Sequence, residues 1–328
     1  MAQAPSFWSQ DGILPRLLSP LSPITAAITA RRIARPGWQA PVPVICCGNA
    51  TVGGAGKTTL VLDLAQRLRQ RGLAVHILLR GYGGSARGPR RVTAADTATT
   101  VGDEALLLAA LAPTWTGADR AASARAAVAA GAQTLLMDDG LQNPTLAKTL
   151  SLLVIDGTTG FGNGRVLPAG PLREPVEAAA ARVQSAVLIG PDRTGALGRL
   201  PPSLPVLRAD LVQDSTIATL PGRRVLAFAG IAHPEKFFAP LRAAGAIVVE
   251  ARPFPDHHPF SSRDLAHLAQ DAARTDAALV TTPKDAVRLP ASFRAGVTVI
   301  GVGLRWADPE AIERLLERNR VGRNAERA

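Results

Sequence analysis

The chain has 328 residues, 47% of them hydrophobic, and a formal net charge of +11. This length and apolar content exclude a disordered chain and suffice for one large or two ordinary globular domains. Arginine carries almost all of the positive charge, which either has no binding role or favours nucleic acid, an anionic membrane or a phosphorylated substrate. The adjacent Cys46 and Cys47 end an apolar run, so we expect core residues in a reducing compartment and no disulfide framework.

The first predicted element is a helix over residues 13–35, where apolar residues recur at helical spacing and the stretch ends in arginines. No basic start or cleavage site precedes it, so we predict no signal peptide. The longest uncharged run, 17–30, is too short to span a bilayer and contains two prolines. The helix either lies in a membrane interface, with its arginines on anionic headgroups, or packs on the core as an ordinary helix.

A glycine-rich loop follows, between an apolar strand and a helical pattern; residues 44–60 read VICCGNATVGGAGKTTL. The glycines would let backbone N–H groups face phosphate oxygens, Lys57 would reach the β- and γ-phosphates, and the Thr58 hydroxyl could ligate Mg²⁺. The strict pattern G-x-x-x-x-G-K-[ST] requires glycine at position 51, where this chain has threonine. We still predict a nucleotide-phosphate site, formed by Thr51, Gly53, Gly54, Ala55, Gly56, Lys57, Thr58 and Thr59.

Strand and helix patterns alternate after this loop. Apolar strands are predicted at 74–79, 133–137, 151–155 and 183–189, with a helix over 59–70. This alternation predicts an α/β fold of the P-loop NTPase type, a parallel sheet with helices on both faces.

A second, smaller α/β domain is predicted beyond the proline- and glycine-rich stretch 190–205, which we interpret as a connection between domains. Its predicted strands are 224–229, 246–250, 278–282 and 297–302, and its predicted helices are 234–244, 261–273 and 309–318. We therefore expect a phosphate-loop domain over 1–220, including the N-terminal helix, and a domain over 221–328 that closes over the cleft.

Two pairs of acidic residues are placed where chemistry is possible. Asp103 and Glu104 open a helix, where acids complement the helix dipole; beside a nucleotide, one could ligate Mg²⁺ and the other accept a proton from an attacking hydroxyl. Asp138 and Asp139 end an apolar strand, as a Mg²⁺-binding acid opposite a phosphate loop would, although Asp-Gly after a strand is also common turn chemistry.

Three loops and one strand end are further candidates. The loop RGYGG, from Arg80, contains Tyr82, the only tyrosine, among glycines that allow close approach of a ligand. The aperiodic loop 160–175 is long for a compact domain, and Arg165 and Arg173 could clamp an anion there. The loop 254–260, FPDHHPF, has two adjacent histidines, of which one could be structural or could support an acid from the other domain. Residues 281–289, TTPKDAVRL, also follow a strand end.

Taken together, these motifs closely resemble the tetraacyldisaccharide 4′-kinase (lipid A 4′-kinase) family. The segments that carry the resemblance are TVGGAGKT from Thr51, RGYGG from Arg80, GDE from Gly102, DDGLQ from Asp138, FGNGRVLPAGPLREP from Phe161, GIAHPEKFF from Gly230, FPDHH from Phe254 and TTPKDAV from Thr281. The resemblance runs from the first strand to near residue 290. It implies transfer of the ATP γ-phosphate, with Mg²⁺, to the 4′-hydroxyl of a tetraacyldisaccharide 1-phosphate at the cytoplasmic face of the inner membrane.

The resemblance also implies roles for particular residues. Asp103 would be the catalytic base and His257 would support it across the cleft, while Lys57 and Thr58 would bind phosphate and Mg²⁺. The implied metal ligands are Thr58, Glu104, Asp138 and Asp139, and the implied substrate contacts are Arg80, Tyr82, Asn143, Arg173 and Glu174. Asn143 departs from the family, since many relatives have histidine after DDG-x-Q.

Two other functions share parts of this sequence. A phosphate-loop ATPase or GTPase that drives a partner protein would share the first domain, but we find no base-specificity motif such as N-K-x-D. A non-catalytic membrane-binding protein would explain the first helix and the charge, but would leave the acids and Lys57 without a role. We predict an anionic glycolipid and a membrane surface as partners, and neither nucleic acid nor an obligatory protein partner.

Overall fold

The computed structural model describes residues 5–86, 88–319 and 321, and within them the chain forms two β-sheets with helices packed on both. The helices are α1 Ile13–Leu18, α2 Ser22–Ile33, α3 Lys57–Gln70, α4 Ala98–Val101, α5 Asp103–Ala109, α6 Arg120–Ala129, α7 Val176–Ala180, α8 Glu235–Ala243, α9 Ser262–Arg274, α10 Pro283–Ala286, α11 Ala291–Arg294 and α12 Pro309–Arg318. The strands are β1 Val44–Gly48, β2 Val75–Leu79, β3 Arg90–Arg91, β4 Thr114–Thr116, β5 Thr134–Asp138, β6 Leu150–Asp156, β7 Ser185–Ile189, β8 Val206–Gln213, β9 Arg224–Ala229, β10 Ile247–Pro253, β11 Ala278–Thr281, β12 Val297–Val299 and β13 Val302–Trp306.

The larger sheet has, within the described residues, nine strands in the order β13-β8-β7-β6-β1-β5-β2-β4-β3. Neighbouring strands from β8 to β4 run parallel, whereas the two edge strands β13 and β3 are antiparallel to their neighbours. The predicted parallel α/β sheet is therefore confirmed. Since the carboxyl ends of parallel strands meet at one edge, the loops that follow β1 and β5 lie side by side.

Apolar residues of the central strands alternate between two cores, one on each face of this sheet. In β1, Ile45 and Cys47 contribute to the core that also contains α3, α5 and α12, while Val44 and Cys46 contribute to the core that contains α6 and α7. This period of two is what the pleat of a strand imposes. It confirms helices on both faces and places both cysteines in the interior, where burial raises the pKa of the Cys46 thiol to about 12.

The smaller sheet has four parallel strands among the described residues, in the order β10-β9-β11-β12. Two boundary interpretations need correction. The stretch 190–205 connects β7 to β8 inside the larger sheet, and its Ala196 and Leu200 are buried in that sheet's core. In addition, β13 pairs with β8 of the larger sheet. We predicted α12 in the smaller domain, but it buries Ile312 and Leu316 against the larger sheet.

The N-terminal helix forms as predicted, as α1, a 3-10 turn and α2. The most apolar 18-residue window of the stretch Ile13–Ile33 has a mean hydropathy of 1.2. The stretch is long and apolar enough to cross a membrane, which by itself is weak evidence that it does. Only 11% of its most apolar part is buried. The N-terminal segment contacts the loop 160–175 at two points. The Ser22 hydroxyl of α2 donates to the Val166 carbonyl, and the indole N–H of Trp8, before α1, donates to the Pro168 carbonyl.

Candidate active site

The loop between β1 and α3 is open to solvent around Gly53 and Gly54 and is packed against the sheet at Gly56. A Cβ atom added at Gly53 or Gly54 would meet nothing within 4 Å, and Gly56 adopts φ +81° directly before the first residue of α3. Lys57 is buried, and its Nζ donates to Asn49 Oδ1 at 2.9 Å and to the Gly53 carbonyl at 3.3 Å. Backbone N–H groups around an open cradle, with an ammonium at its base, form an anion site.

The long loop 160–175 braces this cradle from one side. The Val52 N–H donates to the Pro171 carbonyl at 2.8 Å, and the Arg173 N–H donates to the Ala50 carbonyl at 2.7 Å. Between these bonds, Thr51 forms an isolated antiparallel bridge with Leu172. The bridge explains the missing glycine, because an extended position in a β-bridge suits a β-branched residue and does not need a left-handed backbone.

Asp138, at the end of β5, has one satisfied and one orphaned carboxylate oxygen. Its Oδ2 accepts a hydrogen bond from the Thr58 hydroxyl at 3.0 Å, while its buried Oδ1 has no partner among the described residues. Burial, then the negative charge of Glu104, raises the pKa of Asp138 to about 7, although Lys57 opposes the shift. A cation beside Oδ1 would remove the cost of this buried charge.

The donors present fit Mg²⁺. In the described residues no group of three or more His, Cys, Asp or Glu side chains forms a metal cluster, but Mg²⁺ beside a nucleotide commonly uses one or two protein oxygens together with phosphate and water. The Thr58 hydroxyl and the orphaned Asp138 Oδ1 provide such oxygens. Glu104 lies near enough to act electrostatically on Asp138.

Asp139 is held by cations. Its two oxygens accept from the Arg173 guanidinium at 2.9 and 3.0 Å, and Lys57 Nζ lies 3.7 Å away. Burial alone would raise the pKa of Asp139, but the positive charges of Lys57 and Arg173 outweigh it, so this pKa lies below its ordinary value. Its backbone adopts φ +53°, which is uncommon outside glycine and costs free energy.

Arg173 therefore reaches the site by pairing with Asp139, and its neighbour Glu174 faces another way. The Glu174 side chain is buried, accepts from Gln142 Nε2 at 2.8 Å and pairs with Arg182 at 2.7 Å. Arg165 is likewise engaged elsewhere, because its guanidinium pairs with Asp11 at 2.9 Å. Arg165 is thus not beside Arg173 in an anion clamp. Glu174, an implied substrate contact, lies in a buried network with Gln142 and Arg182.

Asp103 meets His257 across the two sheets. Asp103 is buried at the start of α5, its Oδ1 accepts the Glu104 N–H at 2.9 Å, and its Oδ2 lies 2.8 Å from His257 Nδ1. Burial alone would raise the pKa of Asp103, but the hydrogen bond from His257 and the charge of Lys284 lower it below the ordinary value. The result is an ionised carboxylate with an oriented imidazole behind it.

Residues of the segment 281–289 hold His257 in place. His257 itself adopts φ +60° and donates its N–H to the Gly230 carbonyl at 3.1 Å. Arg288 donates to the carbonyls of Gly230 and of His258, on either side of this contact, at 3.0 and 2.9 Å. Lys284 Nζ lies 3.4 Å from His257 Nε2 on the side away from Asp103.

The remaining predicted residues are less engaged. Tyr82 is 61% exposed and Arg80 is exposed, on a loop that packs against Gly102: a Cβ atom there would lie 2.5 Å from the Tyr82 carbonyl. Asn143 is used in a turn, where its side-chain oxygen accepts from the backbone and hydroxyl of Thr145. Thr59 lies half-buried in α3.

Several polar residues at the site were not singled out from the sequence. Asn49 accepts from Lys57, and Gln142 accepts from Arg173 and donates to Glu174. Arg120 is 2% exposed with an unpartnered Nε, and burial lowers its pKa to about 10 despite the opposing charges of Asp139 and Asp138. For Asn49 a signal existed, because a lone amide directly after a fully apolar strand is unusual. For Arg120, one of many arginines, there was none.

Comparisons with known proteins identify what the chain is similar to. The family model described as Tetraacyldisaccharide-1-P 4′-kinase matches residues 14–320. Tetraacyldisaccharide 4′-kinase of Gluconacetobacter diazotrophicus is 60% identical over 317 residues, which cover 96% of this chain and 97% of that protein. The protein of the same name from Rhodospirillum rubrum is 49% identical, with 98% and 99% covered. A crystal structure of the "apo" form of LpxK from Aquifex aeolicus in complex with ATP matches with a TM-score of 0.76 at 26% identity, covering 94% of this chain and 99% of that one.

Proposed function

This chain belongs to the tetraacyldisaccharide 4′-kinase family, and from that premise we propose that it transfers the γ-phosphate of ATP to the 4′-hydroxyl of a tetraacyldisaccharide 1-phosphate. The observation that carries the proposal is the contact of 2.8 Å between Asp103 and His257, which adds an oriented, ionised base to a phosphate cradle. A nucleotide switch needs the cradle alone, whereas transfer to an alcohol also benefits from a base for the hydroxyl proton.

The cradle residues bind and orient the triphosphate. N–H groups of the loop around Gly53 and Gly54 contact the phosphate oxygens, and Lys57 moves from its acceptors on the loop to the β- and γ-phosphates. Thr58 and Asp138 would hold Mg²⁺, and the carboxylates of Glu104 and Asp139 would add negative charge near it. When bound, the ion neutralises negative charge on the β- and γ-phosphates. Asp139, which pairs with Arg173, lies 3.7 Å from Lys57 Nζ and helps to hold the ammonium in place.

Asp103 accepts the proton of the acceptor. As the 4′-oxygen forms its bond to the γ-phosphorus, the bond from that phosphorus to the bridging β-γ oxygen breaks, ADP leaves, and the hydroxyl proton passes to Asp103. Each carboxylate oxygen of Asp103 keeps a lone pair beyond the one that accepts from the Glu104 N–H or from His257. His257 orients the Asp103 carboxylate, and therefore its free lone pairs, and it stabilises the ionised form of this base.

The experiment is an assay of the purified chain with ATP in neutral mixed micelles, with and without the tetraacyldisaccharide 1-phosphate. ATP consumption that depends on the glycolipid and yields the 4′-phosphorylated product supports the proposal. Hydrolysis independent of the lipid would favour a nucleotide switch, and no hydrolysis in any condition would favour a non-catalytic membrane-binding protein.

We further propose that the stretch Ile13–Ile33 attaches the enzyme to the cytoplasmic face of the inner membrane. Ile13, Leu17, Ile24 and Ile28 are each at least 58% exposed, and the last turn of α2 carries Arg31 and Arg32. An exposed apolar face that ends in arginines fits a bilayer interface with anionic headgroups.

Co-sedimentation with vesicles that contain anionic phospholipid tests this attachment. We expect the double variant Ile24→Ser/Ile28→Ser to lose binding and the matched variant Leu211→Ser, which removes an exposed leucine of β8, to keep it. Equal binding by both variants would contradict the assignment.

A further inference from the structure

A cavity of about 230 Å³ lies on the larger domain beneath the loop that follows Asp139, outside the phosphate cradle. Its floor is apolar, with Leu141 and Leu146, and Ile33 at the end of α2 forms part of its rim. Three basic side chains also line it, those of Arg35, Lys148 and Arg182. None of its lining residues carries a carboxylate, so the cavity itself is positively charged.

The three cations keep hydrogen-bond donors that the described residues do not use. Lys148 Nζ has three N–H groups and donates one to the Asn143 carbonyl at 2.6 Å. The Arg182 guanidinium donates to the Ala178 carbonyl and to Glu174, which leaves some of its five N–H groups free. The Arg35 side chain is exposed at the rim and makes no hydrogen bond within the described residues.

An anion would relieve the electrostatic cost of this arrangement. Burial lowers the pKa of Lys148, and the nearby charge of Arg182 lowers it further. Glu174 pairs with Arg182, and its charge also acts on Lys148, but it is not among the residues that line the cavity. Arginine and lysine together are a common phosphate-binding combination, because the guanidinium binds two oxygens at once and the ammonium adds a compact charge.

The cavity connects both to the proposed membrane segment and to the catalytic residues. Ile33 and Arg35 join it to the end of the exposed apolar helix. On the other side, a chain of hydrogen bonds and ion pairs runs from Arg182 through Glu174, Gln142 and Arg173 to Asp139. A ligand whose acyl chains follow the helix could thus place one anionic group in the cavity while the rest of its headgroup extends toward the cradle.

We propose that this cavity is the subsite for the phosphate monoester that the acceptor glycolipid carries at its 1-position, with Arg35, Lys148 and Arg182 as its ligands. The inference rests on the proposed function, since it places one end of the same acceptor. It gives the enzyme a means to select the monophosphorylated disaccharide from uncharged glycolipids.

The test compares two acceptors in neutral mixed micelles, the tetraacyldisaccharide 1-phosphate and the same lipid without its phosphate. In the double variant Arg35→Gln/Lys148→Gln, we expect the KM for the phosphorylated acceptor to rise at least about tenfold, since charged hydrogen bonds to phosphate are lost. We expect kcat, the KM for ATP and the KM for the dephosphorylated acceptor to stay within about twofold. Arg182 is left unchanged because its loss would strand the buried Glu174.

The matched control is Arg31→Gln/Arg32→Gln, which removes two exposed arginines of α2 that do not line the cavity. We expect it to leave the ratio of the two acceptor KM values unchanged. An equal rise for both acceptors in the cavity variant, or an equal effect of the control, would overturn the inference. So would a defect that appears only when anionic phospholipid is added, because the cavity would then bind bulk headgroups. A wild-type protein that phosphorylates neither acceptor would instead refute the proposed function.

Discussion

The two halves of the candidate active site are built differently. The phosphate half comes from one sheet: Lys57 bonds to Asn49 in the same loop, and Thr58 bonds to Asp138 at the end of a neighbouring strand. The acceptor half joins two sheets, because Asp103 begins a helix on the larger sheet and His257 lies on a loop of the smaller one. One half is fixed by the core of a single sheet, and the other depends on how the two sheets are placed.

This difference predicts that ATP binding and phosphate transfer to the acceptor should respond to different substitutions. Nucleotide affinity should depend on contacts that are complete without the smaller sheet. Transfer to the acceptor should depend on the pair that spans the sheets, and so should respond to changes in either of them. A second histidine-aspartate contact provides a control for the pair Asp103 and His257. The adjacent His258 lies 3.1 Å from Asp264, and both residues belong to the smaller domain.

The largest expected effect is on the acceptor half. We expect Asp103→Asn to lower kcat by about 10³-fold, within the usual range for a general base, while the Kd for ATP changes little. Turnover under saturating substrates and equilibrium binding of ATP measure the two quantities. The control Asp264→Asn, in the analogous pair, should keep near wild-type turnover; near-normal turnover in Asp103→Asn would refute the assignment of the base.

The second-largest effect is expected in the phosphate half. There, unlike at Asp103, the affinity for ATP should fall. We expect Lys57→Ala to weaken ATP binding and to lower kcat/KM by about 10²- to 10³-fold, because one preorganised cation at the transferring phosphate is lost. The variant also leaves Asp139 with one cation fewer, so its fold should be checked by thermal denaturation. Unchanged ATP affinity in this variant would contradict the role of Lys57 in the cradle.

A smaller effect is expected at His257, and it should depend on pH. His257→Ala should lower kcat about tenfold at pH 8, as loss of an orienting partner commonly does. Since the histidine lowers the pKa of Asp103, its removal lets Asp103 take up a proton at higher pH, and the defect should grow as the pH falls.

A pH profile of kcat for His257→Ala, beside wild type and His258→Ala, is the measurement. A defect that is flat across pH, or equal in both histidine variants, would make His257 structural.

The smallest effect is on stability and concerns Asp138. Its raised pKa of about 7 means that the folded state holds the proton more tightly than the unfolded chain does. The destabilisation is therefore absent at low pH, grows as the pH rises above the unfolded value near 4 and is complete above pH 7. Asp138→Asn cannot ionise, so without Mg²⁺ and nucleotide it should melt roughly 5 °C above wild type at pH 8.

The same comparison at pH 5 should show a much smaller difference, because wild-type Asp138 is then largely protonated in the folded state. Thermal denaturation at both pH values measures the effect. An Asp138→Asn variant that is less stable than wild type at pH 8 would contradict the buried charge.

The strand, loop and helix of the phosphate half could be predicted from the sequence because their determinants are local. An apolar strand, glycines and the Lys-Thr pair follow one another in the chain, and α3 begins at Lys57, two residues before the predicted start at 59. The role of Thr51 could not be foreseen, since its bridge to Leu172 joins segments far apart in the chain. The contact between Asp103 and His257 was expected only from the family resemblance, because spacing in the chain does not reveal which loops two sheets bring together.

The same limit explains the error over the C-terminal elements. The pattern of α12 shows which face is apolar but not which core receives it, and Ile312 and Leu316 are buried against the larger sheet. The short β3 and β4 also escaped prediction, because brief strands have little periodicity. The longer β8 and β13 escaped as well, since charged residues interrupt their apolar pattern. Arg288 donates to the Gly230 carbonyl, to which the His257 N–H also donates, and Asp285 accepts the Gly230 N–H. Both residues were inside a recognised segment, but Gly230 is far from them in the chain.

Because the chain returns to the larger sheet at β13, the smaller domain can be deleted as an internal segment but not by C-terminal truncation. In the antiparallel pair β8 and β13, Gln213 lies opposite Val302, and the Asp214 N–H donates to the Gly301 carbonyl at 3.0 Å. Everything between these residues is thus inserted into what would otherwise be a β-hairpin of the larger sheet. Replacing the insert by a short turn should leave a nucleotide-binding protein whose base has lost its histidine, whereas truncation before β13 would remove an edge strand and a helix from the larger core.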